Sequence, residues 1–83
     1  MLYERVVRQT FTMRISYKKL WKLLIDCDMS QSELRLKAGI APNTMTKLRR
    51  NQEVAMCVLI KICSTLKVNI GDIMDLIPEI ESE

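Results

Sequence analysis

The chain has 83 residues, enough for one domain and one modest core. Apolar residues make up 48% and charged residues 28%, a globular balance that excludes a disordered or membrane-spanning chain. No apolar run exceeds Val54 to Ile60, far short of the roughly 20 residues a bilayer needs. Glu4, Arg5 and Arg8 interrupt any signal-like apolar core at the N-terminus, so a cytoplasmic location is expected. The net charge of +3 hides an asymmetry. Residues 1–52 hold eleven Lys/Arg against four Asp/Glu, a balance of +7, and residues 53–83 hold two against six, a balance of −4. The basic part is a candidate surface for a polyanion. Histidine is absent, and Cys27, Cys57 and Cys63 have neither disulfide nor zinc spacing. No metal, no cofactor and no enzymatic activity are expected, and the three thiols read as reduced and mostly buried on apolar helix faces.

Residues 1–15 read as an N-terminal extension. Val7, Phe11, Met13 and Ile15 alternate with polar residues, a period-two pattern that fits a short strand. That segment either pairs with another strand (Met74–Ile77 if that stretch is extended), pairs across a dimer, or reaches a minor groove as an arm carrying Arg5, Arg8 and Arg14. A first helix starts near Ser16 or Tyr17, with Leu20, Trp21, Leu24 and Cys27 on its apolar side. A second opens with the S-x-x-E capping box of Ser30 and Glu33, helped by a staple between Met29 and Leu34, and stops at Gly39. Pro42 begins a third, since a first helical position needs no N–H, and the helix runs to about Arg50 with Asn51 as its terminator. A fourth spans roughly Ala55 to Leu66. Asn69 and Asp72 imitate a capping box for a short fifth helix, which Pro78 stops, leaving residues 78–83 as an acidic tail. The working domain is therefore residues 16–77, and the expected class is all-α with a short strand ahead of it.

Gln31 to Arg50 stand out as a unit. Leu34 and Ala38 face inward on one helix, Ile40 plugs the corner, and Met45 and Leu48 pin the next helix. That second helix leaves Pro42, Asn43, Thr44, Thr46, Lys47, Arg49 and Arg50 outside, a set with no acid and no large apolar group. Such a helix can enter the major groove of B-DNA. Asn pairs with adenine, Lys donates to guanine, and Arg or Lys at helix ends neutralises phosphate.

The spacing of Gln31, Leu34, Gly39-Ile40, Thr44-Met45 and Leu48, followed by Leu59-Ile62, Leu66 and Asp72-Ile73, resembles the lambda-repressor-like, Cro-type (XRE family) helix-turn-helix regulators. The opening Tyr17-Lys18-Lys19-Leu20-Trp21 is similar to the short, stand-alone members. The resemblance implies a five-helix domain that binds a double-stranded operator as a homodimer. It implies base reading by Pro42, Asn43, Thr46 and Lys47. It implies phosphate contacts by Gln31, Thr44, Arg49, Arg50 and Asn51, with Gln31 also bracing the recognition helix. The chain departs from the family pattern at Arg35, where a small residue is usual, at Ala41, which cannot cap, and at Pro42, which offers only apolar contact. The functional expectation is a sequence-specific transcription regulator of the repressor type. The alternative is a protein-interaction module of antitoxin or anti-repressor type, with a partner on the N-terminal strand or the C-terminal segment.

Overall fold

The structure, a computed structural model, describes residues 11–80. Its elements follow in the order β1 (Phe11–Ser16), α1 (Lys18–Asp26), α2 (Gln31–Ala38), α3 (Pro42–Arg49), α4 (Met56–Leu66), one 3-10 turn (Ile70–Asp72) and β2 (Asp75–Ile80). No helix among the described residues is long and apolar enough to cross a membrane.

The core is a single cluster. Leu20 and Leu24 of α1, Leu34 and Ala38 of α2, Met45 and Leu48 of α3, and Leu59 and Ile62 of α4 meet in it, with Tyr17, Ile40 and Ile73 from the connections. These are the i, i+3, i+4 positions that the helical period places on one face of each helix. Each α-helix ends the same way. The next turn carries a left-handed residue, Asp28, Gly39, Asn51 or Lys67, with φ of 53°, 71°, 58° and 58°. The amide after it reaches back five residues, as Met29 N–H to the Leu24 carbonyl, Ile40 to Arg35, Gln52 to Lys47 and Val68 to Cys63, at 2.9 to 3.1 Å. This Schellman geometry satisfies carbonyls that would otherwise lack partners. Glycine supplies only one of the four stops.

The expected strand exists and pairs antiparallel with a C-terminal one, Phe11 opposite Ile80 through Ser16 opposite Asp75. The pairing takes in Asp75, Leu76 and Ile77 of the Met74–Ile77 stretch proposed for it, and Met74 falls before the strand. The fifth helix of the expected all-α class is absent among the described residues: Asn69 begins a single 3-10 turn instead. The Asn69 N–H does donate to the Asp72 carboxylate at 3.0 Å, but that local lock serves one turn as well as a helix. Pairing with β1 then draws Asp75–Ile80 into an extended form, and Pro78, expected as a helix stop, is accommodated in an outer strand. The boundary drawn after Ile77 thus falls inside β2, and the rest of the acidic tail, residues 81–83, lies outside the described residues. So does the proposed arm at Arg5 and Arg8.

The cysteines need a correction. Cys27 is exposed just past the end of α1, Cys57 is exposed on α4, and Cys63 is half-buried against the core. Burial, and secondarily the Asp72 carboxylate, raises the Cys63 thiol above its ordinary pKa.

Candidate nucleic-acid interface

Helix α2 starts where the sequence marks it. Ser30 Oγ accepts from the Glu33 N–H at 3.0 Å, and Glu33 Oε1 accepts from the Ser30 N–H at 2.9 Å. Both bonds of the capping box are made. That second hydrogen bond is the largest cause holding the Glu33 carboxyl below its ordinary range. Helix α2 ends at Gly39, whose φ of +71° suits a residue without a Cβ. Arg35 folds over the corner that follows, and its Nη1 reaches the Ile40 carbonyl at 3.4 Å. The long side chain at a usually small position thus turns back toward the corner after its own helix.

Helix α3 opens on Pro42 after an extended Ala41 with no side-chain cap. Met45 and Leu48 are buried, and Pro42, Asn43, Lys47, Arg49 and Arg50 are exposed. Thr44 and Thr46 are half-buried, and the Thr46 hydroxyl donates back to the Pro42 carbonyl at 3.3 Å. The base-reading candidates therefore divide. Asn43 and Lys47 are exposed polar residues, Pro42 is an exposed ring, and the half-buried Thr46 commits its hydroxyl proton to its own helix.

The phosphate candidates are arranged around the far end. Arg49 Nε donates to Gln31 Oε1 at 2.7 Å, so the two helices are tied side chain to side chain. The pairing leaves the amide N–H groups of Gln31 and the Nη groups of Arg49 for an anion. Asn51 is committed to an additional task, since its Oδ1 accepts from the Tyr17 N–H at 3.1 Å. Tyr17 is itself buried and donates its hydroxyl to the Gln52 carbonyl at 2.9 Å. The segment after α3 is thus clasped by the start of α1.

That clasp brings in residues the sequence reading missed. Ser16, Lys18 and the half-buried Trp21 join Arg49 and Asn51 around a shallow depression of about 280 Å³. By spacing alone Lys18 falls off the apolar side of α1 that Leu20 and Leu24 mark. The signal for its position was Tyr17, an aromatic residue placed where a polar cap is customary. The two ion pairs among the described residues are Arg14–Glu79 at 3.3 Å and Lys19–Asp75 at 3.2 Å, both on the strands and their root. Neither involves α3, whose cations stay available for a polyanion.

Residues 19–79 match the family model of the Cro/C1-type helix-turn-helix DNA-binding domain. Among solved structures, the transcriptional regulator VanUg (crystal form II) is similar, with a TM-score of 0.79 and 48% identity over 82% of this chain and 91% of that chain. No curated protein matches the chain.

Proposed function

The chain belongs to the Cro/C1-type helix-turn-helix family of DNA-binding transcription regulators, and from that premise we propose that it is a sequence-specific repressor that lays α3 in the major groove of an operator. One observation carries the reading: an acid-free, exposed α3 surface on a helix held by Met45, Leu48 and the Arg49–Gln31 bond. Asn43 and Lys47 read bases through their open polar groups, with Pro42 and Thr46 making apolar contacts to thymine methyls. Gln31, Thr44, Arg49, Arg50 and Asn51 position the helix on phosphates, which fix register without reading sequence. The protein works as a homodimer on an inverted repeat with half-sites about one helical turn apart. Occupying a promoter in this way excludes other proteins from it.

The test is selection from a random duplex library, run with wild type and Lys47→Ala in parallel at fixed salt. The expected result is an inverted repeat for wild type and a relaxed preference at one position for Lys47→Ala, with about 1–3 kcal/mol lost on the selected site. Arg50→Ala should weaken every sequence alike and reduce the salt slope by about one. No enrichment for wild type would turn the reading toward a protein partner.

A further inference from the structure

Three separate parts of the chain meet around the depression beside the end of α3. Ser16 comes from the end of β1, Lys18 and Trp21 from α1, and Arg49 and Asn51 from the last residue of α3 and the turn after it. No carboxylate is among them. Their polar atoms sort by chemistry. Both side-chain acceptor oxygens are already engaged by backbone N–H groups. Ser16 Oγ accepts from the Lys18 N–H at 3.4 Å, and Asn51 Oδ1 accepts from the Tyr17 N–H at 3.1 Å. What remains is a set of donors: the Lys18 ammonium, the Arg49 Nη groups, the Asn51 amide nitrogen, the Ser16 hydroxyl proton and the Trp21 indole N–H. Neither Lys18 nor Arg49 takes part in an ion pair among the described residues. Trp21 packs in part against the core, which holds its ring in place at the rim.

We propose that this depression seats one phosphate of the DNA backbone, and that Lys18 and Trp21 are positioning residues for DNA binding. The proposal rests on the DNA-binding reading above and adds to it an anchor supplied by α1. A phosphodiester matches the leftover chemistry, since it is anionic and its free oxygens only accept. The place of Arg49 selects a nucleic-acid strand as the source of that phosphate. Arg49 ends the helix whose exposed residues form the acid-free surface, and its Nε is tied to Gln31 of α2. A phosphate held between Arg49 and Lys18 therefore joins α1 to the far end of α3 through the ligand. Such a contact fixes the register of α3 on the duplex and reads no sequence.

Trp21 is the single tryptophan of the chain, so its emission reports on this depression. The full chain is titrated with a duplex of arbitrary sequence at several salt concentrations, with binding followed separately by the anisotropy of labelled duplex. Trp21 emission should change with the same midpoint as the anisotropy. Lys18→Ala should weaken binding by about eightfold at about 0.1 M salt and reduce the salt slope by about one, as one fewer released counterion requires. Trp21→Phe keeps a ring against the core and removes the indole N–H. It should weaken binding by about threefold and leave the slope unchanged. Lys61→Ala removes an exposed cation of α4 that does not line the depression, and it should keep the wild-type slope. Thermal melts guard against unfolding, and Lys18 is exposed. Inorganic phosphate at matched ionic strength should leave the emission unchanged. Constant Trp21 emission on a bound duplex overturns the proposal and leaves base reading by α3 standing. So does a Lys18→Ala variant that matches Lys61→Ala in affinity and slope. An emission response to inorganic phosphate as strong as that to duplex also overturns it, because the depression would then serve a small anion. The expected signatures without any sequence preference in library selection would keep the phosphate site and sink the repressor reading alone.

Discussion

Arg49 and Gln31 meet at 2.7 Å, joining the last residue of α3 to the first residue of α2. Met45 and Leu48, buried on one face, set which side of α3 turns inward. The directional bond to the planar guanidinium adds a tie from the end of α3 to the start of α2. Gln31→Ala should therefore cost operator affinity about 1–2 kcal/mol while changing stability by less than about 0.5 kcal/mol, since the pair is at the surface. Fluorescence anisotropy at fixed salt, beside thermal melts, separates the two effects. Equal losses in both would mean that the bond supports the fold and not the pose.

The capping box makes a second prediction that depends on pH. Ser30→Ala should cost about 1 kcal/mol, read from urea unfolding. The Glu33 carboxyl is held below its unfolded pKa, chiefly by the Ser30 N–H. Its contribution is thus complete above the unfolded value and is lost as pH falls through the lowered folded one. Glu33→Gln should be less stable than wild type at neutral pH, and the gap should close on acidification through that window. A constant gap would remove the carboxylate charge as its cause.

Gly39 isolates a backbone effect. A Cβ built there meets no atom within 4 Å, so no clash opposes a side chain. The φ of +71° alone does. Gly39→Ala should destabilise by about 1–2 kcal/mol, Gly39→Asn by less, and Gly39→Val by more. If Ala and Asn were equivalent in calorimetry, the left-handed turn would not be the source of the cost.

Tyr17→Phe deletes the hydroxyl that the Gln52 carbonyl accepts from and nothing else. A loss of about 1 kcal/mol is expected. The segment after α3 should loosen with it, seen as faster amide exchange of Tyr17, whose N–H is held by Asn51. Unchanged exchange there would show that Asn51 holds the clasp without Tyr17's hydroxyl.

The helix-turn-helix was readable because its signals are local. Ser30 with Glu33, Gly39, and Pro42 each act within a few residues, and the structure uses each at its marked place. The C-terminal region was not readable for the opposite reason. Asn69 and Asp72 close the same bond at the head of one 3-10 turn or of a helix. What decides the next residues is β1, more than fifty positions away. Long side chains hid other relationships. Arg35 could have pointed outward, and only the folded corner shows it lying on the Ile40 carbonyl. At Asn51 the sequence carried a helix end and a phosphate contact, while its bond to Tyr17 depends on a chain reversal that no spacing encodes.

The pairing of Phe11–Ser16 with Asp75–Ile80 encloses every helix of the domain between its two strands. Its contacts are the most distant along the chain, and they require closure of a loop that holds the whole helical body. Contacts of that kind come late in folding, because the closure of the loop precedes their gain. The chain should assemble from its middle outward, with the DNA-reading helices in place before the two strands meet. A cut in one of the inter-helix turns, with the strand ends rejoined by a short linker, would reverse that order and make the strand pair the nucleus.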